Sequence, residues 1–267
     1  MKPTLIFLHL PKAAGTTLKS IIRRQYDPDN TFVVDDVVID AYGETGWKSI
    51  PARVRWERAR STFDALPESK KWEINAVMGH MWFGWHEITP RPCVYVTILR
   101  EPIERTISHY RYIRRMPDHP LSERIRKEGV SLHDFVEMRL ARRFENVQTK
   151  FLTGDFDPDE KAVDKALSNL DAYFSVAGTL STFDVDLLRI ADKMGWSSLP
   201  VYQRRNTAPS QTRVNEVDPA TLSLIEEHNA LDLRVFDHIQ RRSKASSGDV
   251  SSFEKLRFQL SRTVKVR

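Results

Sequence analysis

The chain has 267 residues, of which 40% are hydrophobic, and its formal net charge is +5. This length can bury one α/β core, no apolar run approaches the roughly 20 residues of a membrane span, and the single cysteine excludes an internal disulfide. The charge is uneven, because residues 241–267 hold eight basic and two acidic side chains and residues 1–240 therefore have a net charge of −1. We predict one domain over 1–240, a basic tail over 241–267, and no nucleic-acid partner.

The first predicted strand, 4–10, runs directly into a short loop and a helix predicted at 16–26. The loop reads Pro-Lys-Ala-Ala-Gly-Thr-Thr over residues 11–17, and we call it the anion loop. Its glycine permits close approach of the backbone to an anion, and its lysine adds a positive charge. The following helix offers unpaired N–H groups at the positive end of its dipole. The loop is predicted to bind a phosphate-like group; the alternative is a turn with a solvated lysine.

The anion loop differs from the Walker loop of nucleotide-binding proteins. In the Walker loop a lysine follows the second glycine and a Ser or Thr holds magnesium, whereas here Lys12 precedes Gly15 and no glycine opens the loop. The shorter loop suits one phosphate-like group better than a pair. The residues predicted to contact the anion are Lys12, Ala13, Ala14, Gly15, Thr16 and Thr17.

Residues with useful chemistry also follow two later strands. The predicted strand 75–78 ends at Gly79 and His80, and the predicted strand 94–99 ends at Arg100. The carboxyl ends of parallel strands lie at one edge of a sheet, so Lys12, His80 and Arg100 are expected to line one site. The alternative is a structural histidine bonded to a nearby carbonyl group, together with a solvated arginine.

A serine accompanies Arg100. Ser108 lies two turns into a helix predicted at 102–115, where its hydroxyl group and the guanidinium group of Arg100 can reach the same anion. A surface serine is the alternative. His9, between apolar neighbours of the first strand, is predicted to be a satisfied core residue; the alternative is that it tunes the anion loop.

The region around His80 suggests an acceptor cleft. Trp82, Phe83 and Trp85 follow His80 and are predicted either to form a platform for a sugar ring or to anchor the loop in the core. Residues 41–71 form an insertion-like helical segment between strands and are a candidate lining of the cleft.

The complete pattern predicts an α/β protein with a P-loop-like, doubly wound parallel sheet flanked by helices and a helical second half. Further strands are predicted at 31–34 and 174–177. Further helices are predicted at 52–66, 132–140, 145–152, 158–170, 185–194 and 219–241.

The anion loop, followed by a strand that ends in Arg100 with Ser108 beyond it, resembles the paired signature of sulfotransferases. These enzymes use 3′-phosphoadenosine 5′-phosphosulfate (PAPS). The chain is most similar to the carbohydrate branch that includes heparan and uronyl 2-O-sulfotransferases, through residues 10–17, 98–105 and 146–154. The resemblance spans about residues 4–239. It implies that the anion loop holds the 5′-phosphosulfate and that Arg100 and Ser108 hold the 3′-phosphate.

The resemblance also implies the reaction. His80 would be the general base for an acceptor hydroxyl group of a carbohydrate or glycoconjugate, and Lys12 would stabilise the departing phosphate. PAPS would be the donor and 3′-phosphoadenosine 5′-phosphate (PAP) the product. Independently of the resemblance, no residues of the sequence have metal-ligand spacing, so no structural or catalytic metal is predicted. Related enzymes often have a second histidine where this chain has Met78.

A late polar loop is the last part of the predicted site. In related enzymes a loop of this kind closes over the nucleotide, which implies that Arg205, Thr207 and Arg213 help to bind the donor. The alternative is a solvated basic loop.

Two other classes of protein remain open. A P-loop kinase-like phosphotransferase would need a lysine after the glycine and a magnesium-binding acidic residue at a strand end, and neither is evident. A nucleotide- or glycan-binding protein without catalysis is the second.

The absence of a leader and of a membrane span predicts a cytoplasmic, bacterial protein of unknown oligomeric state. Residues 253–260 of the tail are predicted to be solvated; the alternative is a short amphipathic helix that touches a membrane surface weakly or packs back on the domain.

Overall fold

A parallel sheet of five strands forms the centre of the protein. The computed structural model describes residues 2–43, 46–197 and 214–245. Its strands are β1 (Thr4–Leu8), β2 (Thr31–Val33), β3 (Ala76–Gly79), β4 (Cys93–Leu99) and β5 (Phe174–Thr179). They lie in the order β2-β3-β1-β4-β5, and all neighbouring pairs are parallel. The predicted α/β class is confirmed, and each predicted strand overlaps an observed one.

Helices flank the sheet and dominate the second half of the chain, as predicted. The helices of the described residues are α1 (Gly15–Ile22), α2 (Val34–Tyr42), α3 (Ala52–Asp64), α4 (Glu68–Glu73), α5 (Pro102–Arg115), α6 (Ser122–Lys127), α7 (Leu132–Glu137), α8 (Val147–Thr153), α9 (Lys161–Tyr173), α10 (Phe183–Met194), α11 (Pro219–His228) and α12 (Ala230–Ala245).

Side chains of β1 alternate between two hydrophobic cores. Leu5 and Phe7 belong to the core that includes residues of α1 and α10. Ile6 and Leu8 belong to the core on the other face, which includes residues of α8, α9 and α12. All four side chains are buried, so β1 is covered on both faces. Burial on both faces explains why the strand reads as a continuous apolar run.

The register of the sheet aligns the carboxyl ends of its central strands. Leu8 of β1 pairs with Gly79 of β3, and Phe7 pairs with Val96 of β4. The anion loop follows β1, while His80 and Arg100 follow β3 and β4. The three predicted elements of the site therefore lie at one edge of the sheet, where open α/β sheets bind ligands.

Helix α2 is not among the predicted helices. Its first residues, from Val34 to Val38, include three valines, which favour a strand over a helix. Asp35 and Asp36 lie in its first turn, where negative charge interacts favourably with the helix dipole. The short helices α4 and α6 are likewise absent from the prediction.

The single helix predicted at 219–241 is wrong, because the chain divides into α11 and α12 at Asn229. The carboxamide oxygen of Asn229 accepts a hydrogen bond from Nη2 of buried Arg105 at 2.9 Å. Its amide group donates to the carbonyl oxygen of Ile225 at 2.8 Å. A distant side chain thus participates in the break, and the local sequence does not reveal it.

None of the helices in the described part of the chain combines the length and apolarity needed to cross a membrane.

Candidate functional site

A cavity of about 700 Å³ opens at the carboxyl edge of the sheet. The predicted site residues that line it are Lys12, Ala14, Gly15, Thr16, Thr17, His80, Arg100 and Ser108. Ala13 is buried and packs into the core instead. Arg205, Thr207 and Arg213 lie outside the described residues, as does the tail beyond residue 245. The structure thus brings the anion loop, His80, Arg100 and Ser108 around one space.

Two residues of the anion loop have a left-handed backbone. The φ angle is 68° at Lys12 and 56° at Ala14, a conformation that costs a residue with a β-carbon about 1–2 kcal/mol. Ala14 is the N-cap residue of α1, and in the described part of the chain it makes no side-chain hydrogen bond to the first turn of that helix. Gly15 and Thr16, at the start of α1, line the cavity. The helix therefore presents the positive end of its dipole to the cavity, which favours an anion there.

Gly15 is required by its contact with His9. A β-carbon on Gly15 would lie 1.7 Å from Cδ2 and 1.9 Å from Nε2 of the His9 ring. Any larger residue would have to displace either the imidazole or the start of α1. The glycine of the anion loop thus has a packing role in addition to the close anion approach that the sequence predicted.

Lys12 is half-buried and lies over an aromatic ring. Its Nζ is 4.2 Å from the centre of the Tyr112 ring, within the range of a cation–π interaction. Burial, with smaller contributions from Arg100 and Arg115, lowers the pKa of Lys12 to about 8. A bound anion would be favourable beside Lys12, because it would offset the repulsion between the lysine and the neighbouring arginines.

Arg100 is held from both sides. Its Nη1 donates to the carbonyl oxygen of Lys12 at 3.3 Å, which joins it to the anion loop. The backbone N–H of Arg100 donates to Oε1 of Gln148 at 2.9 Å, and Nε2 of Gln148 donates to the carbonyl oxygen of Arg100 at 2.9 Å. Gln148 is fully buried, so its amide group fixes the main chain from which the Arg100 side chain extends.

Gln148 lies at the start of α8, which is joined to the start of α12 by hydrogen bonds in both directions. The carboxylate of buried Asp232 accepts hydrogen bonds from the backbone N–H groups of Gln148 at 3.1 Å and Thr149 at 2.7 Å. In return, Oδ1 of Asn146 accepts from the backbone N–H of Leu231 at 3.0 Å and that of Asp232 at 3.2 Å. Each helix start is capped by the other, which holds Gln148 under Arg100.

His80 is bonded to a carboxylate. Its Nδ1 lies 2.9 Å from Oδ1 of Asp35, and its backbone N–H donates to the same oxygen at 3.2 Å. Oδ2 of Asp35 accepts from Nζ of Lys19 at 3.0 Å. The His80 side chain keeps 37% of its surface exposed and lines the cavity.

His9 lies directly beside His80. The centres of the two imidazole rings are 4.0 Å apart, and their planes are tilted by 32°. His9 is buried as predicted, but it is not satisfied, because its buried Nδ1 has no hydrogen-bond partner among the described residues. Burial, reinforced by His80, lowers the pKa of His9 well below 6.5. His9 therefore packs against His80 as a neutral ring.

Three possible metal ligands meet at this point. His9, Asp35 and His80 each offer one ligand atom, and these atoms lie within 4.8 Å of one another. Oδ1 of Asp35 is already bonded to His80. Oδ2 of Asp35 is already bonded to Lys19. We assign no metal to this cluster, and the prediction of a metal-independent protein stays a prediction.

The aromatic residues after His80 divide between cavity and core. Trp82 lines the cavity and packs on Phe151, with ring centres 4.7 Å apart. Trp85 is fully buried and packs against Phe32 and Phe63. The core alternative therefore holds for Trp85, whereas Trp82 does both: it is only 6% exposed and belongs to the core, and it also lines the cavity.

Helices α3 and α8 complete the cavity with apolar and cationic groups. Ala52 and Arg55 line it from α3, which lies within the predicted insertion-like segment 41–71. Lys150 lines it from α8. Burial lowers the pKa of both Arg55 and Lys150. Arg55 and Lys150 give the cavity hydrogen-bond donors in addition to those of the anion loop and Arg100.

Two important parts of the site were not identified from the sequence: Asp35, and the pair of hydrogen bonds from Gln148 to the main chain of Arg100, which we call the Gln148 clamp. Asp35 follows β2 as Lys12, His80 and Arg100 follow their strands, so the same strand-end rule would have found it. It is also an acidic residue near a strand end, contrary to the prediction that none is evident. No pattern in the sequence indicates that Gln148 reaches the backbone of Arg100.

Comparison with known proteins relates this geometry to a family. Residues 2–238 match the model of the sulfotransferase family. The chain is also 26% identical over 263 residues to galactose-3-O-sulfotransferase 3 of Bos taurus, with 92% of this chain and 58% of the relative covered. It thus spans less than two thirds of that relative's length. The family match covers the anion loop, His80, Arg100 and the clamp, and it confirms the predicted resemblance: the chain belongs to the sulfotransferase family.

Proposed function

We propose that this protein transfers a sulfuryl group from PAPS to a hydroxyl group of a carbohydrate or glycoconjugate, with His80 as the general base. The observation that supports the proposal most is the meeting of the anion loop, Arg100 and His80 around one cavity. Membership of the sulfotransferase family favours PAPS as the donor. The name of the Bos taurus relative favours a carbohydrate as the acceptor.

The residues of the cavity fit a donor with two anionic ends. The uncapped start of α1 and half-buried Lys12 would hold the phosphosulfate group, since both favour negative charge. Arg100, which bonds to the carbonyl oxygen of Lys12, and Ser108, which lines the same cavity, would hold the 3′-phosphate through charge-assisted and hydroxyl hydrogen bonds. The clamp by Gln148 prepares Arg100 for this role before the donor binds.

The proposed step moves one proton and exchanges one bond at sulfur. PAPS supplies a sulfuryl group attached through an oxygen to its 5′-phosphate. His80 takes the proton of the acceptor hydroxyl group while the oxygen of that hydroxyl group forms a bond to sulfur. The bond between sulfur and the bridging oxygen of PAPS breaks at the same time. Lys12 and the N–H groups of α1 stabilise the charge on the departing oxygen. A positioned base contributes about 10²–10⁴-fold in rate, and a preorganised donor of this kind about 10²–10³-fold.

The acceptor is proposed to bind beside His80, between Trp82, α3 and α8. Trp82 and Val38 supply apolar surface there, and Lys150 supplies N–H donors. A sugar ring has apolar faces and hydroxyl groups at its edge, so it needs both kinds of contact. The acceptor hydroxyl would approach the exposed part of the His80 ring.

A kinase-like activity is the less favoured alternative. Asp35 follows β2, where a magnesium-binding carboxylate would be expected, but its oxygens bond to His80 and Lys19. Lys12 also precedes Gly15, so the anion loop lacks the Walker order. Both observations favour sulfuryl transfer over magnesium-dependent phosphoryl transfer.

Calorimetric titration without magnesium tests the donor site. The protein is titrated with PAP, ADP and ATP, and the variants are Arg100→Ala and the matched control Arg114→Ala, an exposed arginine of the same helix region. We expect PAP to bind most tightly and Arg100→Ala to lose about 10–100-fold in affinity, as for a lost charge-assisted hydrogen bond. Preference for ATP, or no binding of any nucleotide, would overturn the proposal.

A further inference from the structure

We infer that Asp35 is a positioning residue, which fixes the orientation and the tautomer of His80 and so directs Nε2 of the imidazole to the acceptor. The inference rests on the proposed role of His80 as the base. It assigns a purpose to a carboxylate on a helix that the sequence did not predict, and it concerns a residue that need not touch the donor or the acceptor.

The carboxylate of Asp35 forms two hydrogen bonds with His80. Oδ1 of Asp35 lies 2.9 Å from Nδ1 of the ring and 3.2 Å from the backbone nitrogen of the same residue. Two hydrogen bonds to one oxygen restrain both the main chain and the rotation of the side chain. The remaining ring nitrogen, Nε2, is then the one available for proton transfer.

The charge of Asp35 determines which nitrogen holds the proton. An ionised carboxylate only accepts hydrogen bonds, so Nδ1 of His80 must be the donor. Burial alone would raise the pKa of the Asp35 carboxyl group, but the charge and hydrogen bond of His80, together with Lys19, hold that pKa well below 3.8. Asp35 is therefore ionised at neutral pH, and the neutral form of His80 has a free lone pair on Nε2.

Gly79 makes this approach possible. Its φ angle is 143°, a value that side chains rarely allow. A β-carbon there would lie 2.9 Å from Cβ of Val34 and 3.2 Å from the backbone nitrogen of Asp35. The glycine before His80 thus lets the first turn of α2 pack directly against the end of β3. The Gly79-His80 pair of the sequence is explained by the position of Asp35.

Lys19 connects the same carboxylate to the donor side. Lys19 belongs to α1, the helix that begins at the anion loop, and its Nζ bonds to Oδ2 of Asp35 at 3.0 Å. Oδ1 of Asp35 is bonded to His80, the proposed base, while Oδ2 is bonded to Lys19 of α1. One carboxylate therefore sets the base relative to the helix whose N-terminus faces the proposed phosphosulfate position.

The first test reads the tautomer directly and needs no catalysis. The histidines of the full chain are labelled with ¹⁵N, the His80 signals are assigned by comparison with His80→Gln, and spectra are recorded at mildly alkaline pH. The shifts of protonated and unprotonated ring nitrogens differ widely. We expect wild-type His80 to hold its proton on Nδ1. A proton on Nε2 in the wild type, or an even mixture of the two tautomers, would overturn the inference.

The second test compares neighbouring carboxylates. Asp35→Asn is matched by Asp36→Asn, which removes the exposed carboxylate that pairs with Arg23. We expect only Asp35→Asn to shift the His80 spectrum toward a mixture of tautomers. Calorimetric PAP affinity should change less than about threefold, whereas the rate constant of transfer should fall about 10⁴-fold, as for loss of the carboxylate in serine-protease triads. Equal spectra and rates in the two variants would contradict the inference.

The two tests separate this inference from the proposed function. If the protein transfers no sulfuryl group, the wild-type tautomer still reports whether Asp35 fixes the ring. If Asp35→Asn fails to fold, the wild-type spectrum and the conservative variant Asp35→Glu decide, because Glu retains an accepting oxygen for Nδ1. A His80 spectrum in Asp35→Glu that equals that of the wild type supports the assignment, and a spectrum of mixed tautomers in both proteins overturns it.

Discussion

The amide group of Gln148 brackets the main chain of Arg100, accepting from its N–H and donating to its carbonyl oxygen at 2.9 Å each. A single buried side chain thus satisfies both backbone groups of the residue that follows β4. The clamp holds the loop at the strand end in one conformation, which positions the guanidinium group beside the anion loop.

Replacement of the clamp should weaken recognition of the 3′-phosphate. In Gln148→Met both backbone groups of Arg100 lose their partner, which costs about 1–3 kcal/mol each when they stay buried. We expect PAP affinity to fall about tenfold as Arg100 becomes mobile. The affinity for adenosine 5′-phosphate, which has no 3′-phosphate, should stay the same. Calorimetry with both nucleotides measures the difference.

The matched control is Asn169→Ala, which removes a hydrogen bond to the carbonyl oxygen of Leu152 at the other end of α8. It should lower the free energy of unfolding and leave the ratio of the two affinities unchanged. A similar ratio in Gln148→Met and the wild type would show that the clamp does not serve the phosphate site.

The contact between His9 and Gly15 predicts a destabilised Gly15→Ala variant. The added methyl group would overlap the His9 ring, and overpacking of this kind costs about 1–3 kcal/mol of unfolding free energy. The double variant Gly15→Ala/His9→Ala should be more stable than the sum of the two single changes indicates, because it removes the overlap. Urea unfolding of the four proteins measures this coupling.

Gly46→Ala provides the comparison, since a β-carbon on Gly46 meets no atom of the described residues within 4 Å. It should leave the unfolding free energy within about 0.5 kcal/mol of the wild type. Strictly additive effects of Gly15→Ala and His9→Ala would contradict the contact.

Lys12 predicts proton uptake on donor binding at alkaline pH. Its pKa is lowered to about 8 by burial and by neighbouring arginines, and a bound anion favours its protonated form. At about pH 7 the lysine is about nine-tenths protonated already, whereas at about pH 9 it is about nine-tenths neutral. PAP binding should therefore take up almost one proton at the higher pH and very few at the lower pH.

Calorimetry in buffers with different enthalpies of ionisation measures this uptake. Lys12→Met should abolish the difference between the two pH values and slow transfer about 10²–10³-fold. The same uptake in Lys12→Met and the wild type would assign the titration to another group.

Buried histidines predict a loss of stability on acidification. Burial lowers the pKa values of His9 and His109 well below 6.5. The unfolded chain therefore binds more protons than the folded protein as the pH falls below about 6.5, and the free energy of unfolding decreases by up to about 1.4 kcal/mol per pH unit for each ring. In His109→Phe the slope should be smaller by about one proton. Urea unfolding at several pH values between neutral and mildly acidic measures it, and an unchanged slope would refute the assignment.

The strands and the main site residues could be predicted because their signals are local. The β-branched run that forms β4 and the apolar run that forms β1 each extend over several consecutive residues, and such runs predict buried strands more reliably than any single position does. The rule that parallel strands end at one edge then brings Lys12, His80 and Arg100 together without knowledge of the fold's details.

The rest of the site depends on tertiary contacts. Asp35 directly follows a predicted strand, but its contact with His80 depends on α2, which the valine-rich sequence does not indicate. The contact of His9 with His80 depends on a strand that ends at Leu8, one residue before His9. The clamp by Gln148 requires α8 to be capped by Asp232 from a segment more than 80 residues away in the sequence. Hydrogen bonds across such separations leave no periodic trace in a single sequence.

Transfer of ³⁵S-labelled sulfuryl from PAPS to a panel of oligosaccharides, without magnesium, tests the central claim most directly. Release of PAP is measured alongside, and His80→Ala is compared with the wild type. We expect a labelled sugar and an equal amount of PAP from the wild type, with transfer lost about 10²–10⁴-fold in His80→Ala while PAP still binds. Tight PAP binding with no labelled product from any sugar would contradict sulfuryl transfer to carbohydrate and identify a binding protein instead.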